Sequence, residues 1–335
     1  MSPLLDLVDV FRELTAPPID ASVLRFVALP IPDFEQHHIG KDAHGAPALL
    51  VATETSPEHG WPAPIVLEHL TVQHDIECRV SRPGGSTEDA RFTVLRCAGD
   101  DTTLHAYFLQ VAAAVVASLG RSPSPTDVSI AIEALVELFR AMTLPPRKSL
   151  QGLWAELFLM ARARRPVSLV RAWHVLPGDR YDFNAGPPRI EVKSASGRIR
   201  QHYFSLSQLL PVSGTEVLIA SVLVERAGAG PSVIDLVGEI RAQLGATPDL
   251  LVHLDRVVGL TLGETLRYAA EEHFDRELAE RSLAFFNPEA IPKVSPLVPP
   301  EVTEVRFRVD LTRVPPTDTD DYRGRQDLFS STFWR

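Results

Sequence analysis

Apolar positions follow three different rhythms along the chain. Up to about residue 100, short apolar runs at 23–29, 48–51, 65–67 and 92–95 alternate with turn-prone stretches, a β-rich pattern. Gly40-Lys41-Asp42-Ala43-His44-Gly45 lies between two apolar runs and predicts a hairpin turn, and Arg82-Pro83-Gly84-Gly85-Ser86 predicts a loop. Val66, Leu70 and Val72 share one strand parity, although Glu68 interrupts them. From 104 to 119 the apolar residues recur at helical spacing and stop at Gly120, a residue suited to a helix C-terminus. Ser122-Pro123-Ser124-Pro125 breaks the chain, and Thr126 or Asp127 can cap a second helix over 128–142. After Pro145-Pro146, Ser149 can cap a third helix reaching about residue 164.

From 168 the rhythm shortens. Strands are predicted at 168–174, 180–183, 189–194 and 201–206, with Asn184-Ala185-Gly186-Pro187-Pro188 as a tight connection. A short helix at 206–210, an almost wholly apolar strand at 217–224 and a helix at 232–244 ended by Gly245 follow. The chain then reads as mainly helical to about 286, continues through a Pro-rich loop at 287–300 and a strand near 305–311, and ends in a polar tail. The fold class expected is α/β (α+β). A β-rich region fills 1–100, a mixed core with its preceding helices fills 101–245, and a mostly helical extension fills 246–335.

Composition narrows the function classes. With 335 residues, 45% hydrophobic and 23% charged, the chain is an ordinary globular sequence with room for two moderate domains. Cys78 and Cys97 cannot build a disulfide framework and lack metal-ligand spacing, so a reducing cytoplasm is expected. The Ala-rich run 111–119 is short of a bilayer span, and the opening residues, with Asp6, Asp9 and Glu13, do not resemble a signal peptide; no membrane role is expected.

A net charge of −10 argues against coating nucleic acid non-specifically. Yet residues 147–200 hold eleven basic side chains against the four acids Glu156, Asp179, Asp182 and Glu191. Within that island Arg198 and Arg200 are candidate nucleic-acid contacts. The only lysines are Lys41, Lys148, Lys193 and Lys293, so 29 of the 33 basic residues are arginine. A lysine inside an apolar strand therefore asks for a reason, and a compact ammonium of adjustable pKa is one.

Arg189-Ile190-Glu191-Val192-Lys193-Ser194 is that strand. Alternate strand residues share a face, so Glu191 and Lys193 point together while Ile190 and Val192 enter the core. The Gly-Pro-Pro turn folds Asp182 back beside Glu191. Hydrolysing a phosphodiester needs a divalent cation on hard oxygen ligands and a group to orient water, which this pattern supplies. An acid-x-Lys triplet is weak by itself, but it occurs once in this chain and beside a second acid. Glu156 is the only charge in Gly-Leu-Trp-Ala-Glu-Leu-Phe-Leu-Met, a costly setting for a carboxylate unless it is paired or ligated.

Together, Gly152-Leu153-Trp154-Ala155-Glu156-Leu157, Trp173-His174, Tyr181-Asp182-Phe183 and Ile190-Glu191-Val192-Lys193-Ser194 resemble the restriction-endonuclease-like PD-(D/E)XK superfamily. More narrowly, with the turn 40–45 and Pro47-Ala48-Leu49-Leu50, they resemble a prokaryotic family known by its PD-(D/E)XK motif and without assigned function. The resemblance implies a mixed central sheet flanked by helices. It makes Glu156, Asp182, Glu191 and Lys193 catalytic, with Asp182, Glu191 and Glu156 on Mg²⁺ (or Mn²⁺) and Lys193 positioning the water. Ser205, Ser207 and Gln208 would give polar support. Tyr181 stands where the motif has proline, a proline that many members lack. The activity implied is a Mg²⁺-dependent endonuclease acting on DNA, in a phage-defence or restriction setting with other defence proteins as partners. The alternatives are a nuclease-fold subunit that binds DNA or protein without cutting, and a modified-base reader that uses the β-rich region.

Other motifs carry less. His37, His38 and His44 have no partner spacing for zinc and read as turn histidines. Ala227-Gly228-Ala229-Gly230-Pro231 is a loop with no Walker lysine after it, and no Gly-x-Ser-x-Gly elbow occurs.

Overall fold

The structure is a computed structural model that describes residues 7–19, 24–52, 61–82, 84–120, 123–173, 179–245, 247–294, 298–299, 301–302 and 304–333. His174, Pro83, Ser122 and residues 295–297 and 300 of the Pro-rich loop lie outside the described residues. The chain is a mixed α/β protein that divides into two compact units, 1–147 with 245–267, and 148–244 with 268–335.

The first unit begins with α1 (Leu7–Arg12) and then β1 (Leu24–Ile31), β2 (Phe34–Asp42), β3 (Pro47–Val51), β4 (Ile65–Val66), β5 (Leu70–Ser81) and β6 (Thr87–Cys97). Strands pair in the order β1-β2-β3-β6-β5, and β1 returns to pair parallel with β5, closing a five-stranded barrel with β4 appended to β5. Phe26, Ala28, Ala48, Leu50, Cys78, Val80, Phe92 and Val94 fill one core cluster of this barrel. Gly40 sits inside β2 rather than in the predicted turn, which tightens to Ala43–Gly45. It pairs with Ala28, and a Cβ there would lie 3.1 Å from the Ala28 Cβ, so the close strand approach calls for glycine. His37 and His38 are likewise buried strand residues of β2, not turn residues; His44 alone stays in the turn.

Helices α2 (Thr102–Leu119) and α3 (Pro125–Ala141) follow, and α8 (Pro248–Leu262) packs against both. Asp101 caps α2, Gly120 ends it at φ 74°, and Ser124 caps α3 through a reciprocal box with Asp127, two or three residues before the cap predicted. By length and composition α2 is apolar enough to cross a membrane, but Tyr107, Phe108, Leu109, Val111 and Val115 are buried within the unit. The Tyr107 hydroxyl donates to the Asp255 carbonyl of α8.

The second unit contains α4 (Leu150–Ala161), α5 (Pro166–Ala172), β7 (Arg189–Ala195), β8 (Gln201–Ser205), α6 (Leu206–Leu209), β9 (Val217–Leu223), α7 (Val233–Leu244), α9 (Arg276–Ser282), β10 (Ala284–Phe286), β11 (Arg306–Asp310) and α10 (Leu328–Phe333). β7 and β9 are parallel and β10 is antiparallel to β9, a mixed sheet with α4 packed on β7 and α9 on β9. β8 and β11 form a separate antiparallel ribbon. Two expected strands are corrected. Residues 166–172 are helical, because Pro166 presets the first turn and Leu169, Val170 and Ala172 bury one face. Of 180–183 only Phe183 pairs, through single bridges to Trp173 and Ile190, so Asp182 sits in a bend. The stretch expected to be helical up to 286 ends instead in β10.

Candidate active site

Helix α4 is set by Ser149, whose hydroxyl accepts from the Gly152 amide, and by an almost wholly apolar surface that buries it. Glu156 is carried inward with it and is 2% exposed. Its Oε1 accepts from Lys148 Nζ at 2.5 Å and its Oε2 from Trp173 Nε1 at 2.8 Å. Both oxygens accept from these donors. Burial, and next the charge of Asp182, push this carboxyl up to about 8 against the pull of Lys148.

Asp182 is fixed by the strand it faces. Its Oδ2 accepts from the Val192 amide of β7 at 2.7 Å, and its Oδ1 accepts from Lys148 Nζ at 2.5 Å. Burial acts to raise its pKa, but Lys148, the Val192 amide and Lys193 outweigh it and hold the carboxyl below the ordinary range. Glu191 and Lys193 point the same way from β7, with Lys193 Nζ 2.7 Å from Glu191 Oε1. Gln208 Nε2 donates to the same Glu191 oxygen at 2.6 Å. Burial and the Asp182 charge push Glu191 up to about 7.

Three carboxylates and two ammonium groups thus meet within electrostatic reach, all in the second unit, at the wall of an open cavity of about 1080 Å³. Lys148, Asp182, Glu191, Lys193 and Gln208 line it. The four residues expected from sequence converge, with Lys148 as an added fifth.

The model of the family described as "Putative PD-(D/E)XK family member, (DUF4420)" matches residues 8–312. The chain belongs to this family. No curated protein and no solved structure matches it significantly.

In this PD-(D/E)XK family member the remaining expected residues fare unequally. Ser205 caps α6 in a reciprocal box with Gln208, and its hydroxyl is 3.0 Å from that of Ser207; all three line the cavity. Arg198 is exposed at a second opening of about 450 Å³, beside Gln151, Gln201, Tyr203 and Arg308. Arg200 is not a surface contact. Its guanidinium donates to the Ser221 hydroxyl at 2.8 Å, to the Ser221 carbonyl at 3.0 Å, and to the Ser282 carbonyl. Sequence reasoning missed Lys148, which shares the scarcity of lysine with Lys193 but not its place in an apolar strand. It also missed Tyr203, Arg306 and Arg308 on the outward face of the β8–β11 ribbon; Tyr203 is 65% exposed, pairs with Arg308, and borders both openings.

The family implies a divalent cation, and the donor set fits one. Among the described residues no three His, Cys, Asp or Glu side chains form a ready cage. Mg²⁺, however, is commonly held by one or two carboxylates with water and phosphate completing the shell. Asp182 and Glu191 are such a pair of hard oxygen donors, near enough for one charge to raise the pKa of the other. Glu156 holds Lys148 and the Trp173 indole and does not line the cavity, so it fits a role in holding Lys148 better than the role of ligand expected for it.

Proposed function

We propose that the chain is a Mg²⁺-dependent endonuclease that hydrolyses DNA from a restriction-endonuclease-like core in the second unit, as part of a prokaryotic phage-defence or restriction assembly in the cytoplasm. The observation that carries this reading is the Asp182–Glu191–Lys193 cluster on β7 and its facing bend, its two carboxylates buried yet lining a cavity wide enough for a phosphodiester. Asp182 and Glu191 hold the ion, which when bound supplies Lewis-acid polarisation of the phosphate and neutralises developing charge. Lys193 Nζ, anchored by Glu191, holds the attacking water by a hydrogen bond and stabilises the negative charge that grows at the phosphate. Gln208 fixes the Glu191 carboxylate, and the Val192 amide fixes that of Asp182. Tyr203, Arg308 and Arg198 offer a track for the nucleic-acid strand beside the site. The test is cleavage of plasmid DNA with Mg²⁺ by wild type, Asp182→Ala and Lys193→Ala. The reading expects activity in the wild type alone, and equal activity in all three sinks it.

A second reading, a nuclease-fold subunit that binds without cutting, is favoured by one observation. Lys148 already forms ion pairs with both Asp182 and Glu156. Calorimetric titration separates the two, since a protein that takes up neither Mg²⁺ nor Mn²⁺ fits the second reading.

A further inference from the structure

Resting on the metal-dependent reading above, we propose that Lys148 is the resident cation of the Glu156–Asp182 half of the site, so that this chain works with a single divalent ion, on Asp182 and Glu191. The ammonium joins the two carboxylates at 2.5 Å to each. Both Glu156 oxygens are engaged, Oε1 by Lys148 and Oε2 by the Trp173 indole, and Glu156 does not line the cavity, whereas Asp182 and Glu191 do. A second ion on Glu156 would have to displace either an ammonium or an indole donor from a buried carboxylate.

Hydrolases that use two metals set them about 3.5–4 Å apart on shared carboxylates. Here the carboxylate available for sharing, Asp182, carries the ammonium on the oxygen not bound to β7. The chemical choice of side chain also fits. Lysine offers a compact point charge with three donors where arginine's planar fork is wide, and this chain spends two of its four lysines here. Lys148 is therefore a positioning residue that keeps Asp182 charged and oriented while it closes the second metal position.

The experiment counts Mn²⁺ ions on the full chain by electron paramagnetic resonance titration, for wild type and Lys148→Ala, with circular dichroism to follow folding. The expected counts are one for wild type and two for Lys148→Ala, the second ion taking the vacated place. A count of two on wild type, or of one on a folded Lys148→Ala, overturns the proposal. If Lys148→Ala does not fold without metal and folds with Mn²⁺, an ion is replacing the ammonium, which supports it. If it folds under neither condition, the wild-type count decides, one sustaining and two overturning. No ion on wild type defeats the metal-dependent reading itself. In that case ions gained by Lys148→Ala still sustain Lys148 as the cation of this half, and none gained overturns that as well.

Discussion

Glu156→Gln tests how the buried cluster is held together. The substitution keeps the shape of the side chain and removes its charge. In the folded protein the Glu156 carboxyl is pushed up to about 8, first by burial and then by Asp182, whereas an unfolded glutamate titrates at its ordinary value near 4.5. Between these two values the folded state binds a proton that the unfolded state has released, so stability falls as pH rises from about 4.5 to about 8. Each unit of separation is worth about 1.4 kcal/mol, so on the order of 3–5 kcal/mol is lost across that window through this group. Glutamine cannot titrate, so the variant lacks this slope. It forfeits part of the Lys148 contact at all pH values, a cost of about 1–3 kcal/mol for a buried partner left short. The stability difference, variant minus wild type, is therefore negative near pH 5 and rises steadily towards pH 8. Urea unfolding with chelator present, at several pH values, measures it. Parallel pH profiles for the two proteins refute the account of Glu156.

Three further outcomes follow from the same geometry. Glu191 binds a cation only when ionised and is pushed up to about 7, so Mn²⁺ affinity by calorimetry falls towards about tenfold per pH unit below 7 and levels off above it; a flat profile from pH 5.5 to 8 contradicts this. Arg200→Ala lowers stability by about 1–3 kcal/mol in urea melts, because it leaves the Ser221 and Ser282 carbonyls short of a donor, while Arg198→Ala leaves stability unchanged and weakens DNA binding; the reverse assignment in a binding titration would be wrong for this structure. Gln208→Ala leaves the fold intact but frees the Glu191 carboxylate, lowering the rate of DNA cleavage by roughly 10–100-fold, as for loss of an outer-shell partner; an unchanged rate removes Gln208 from the machinery.

The site was more legible than the fold around it. Period-two alternation fixes that Glu191 and Lys193 share a face, and the strand β7 carries them as that rule requires. Helix α4 announced itself through Ser149 and its unbroken apolar run. Lys148 did not, because its partners lie 8 and 34 residues away and only tertiary contact brings them together. Arg200 looked like a surface cation because nothing local tells that Ser221 and Ser282 will surround it. The barrel was illegible for a related reason. It closes through a β1–β5 pairing between residues more than fifty positions apart, and β2 buries His37, His38 and Gly40, which break the apolar pattern expected of a strand. Pro166 was the local signal that 166–172 is helical, and its valines masked it.

The central claim is a single hydrolytic metal centre on β7 and its facing bend. Anomalous scattering from crystals of the full chain soaked in Mn²⁺ tests it most directly. The account predicts one peak, within coordination distance of the Asp182 and Glu191 carboxylates and with Lys148 still joined to Glu156. No peak at these two carboxylates, or a peak on Glu156 in the place of the Lys148 ammonium, contradicts it.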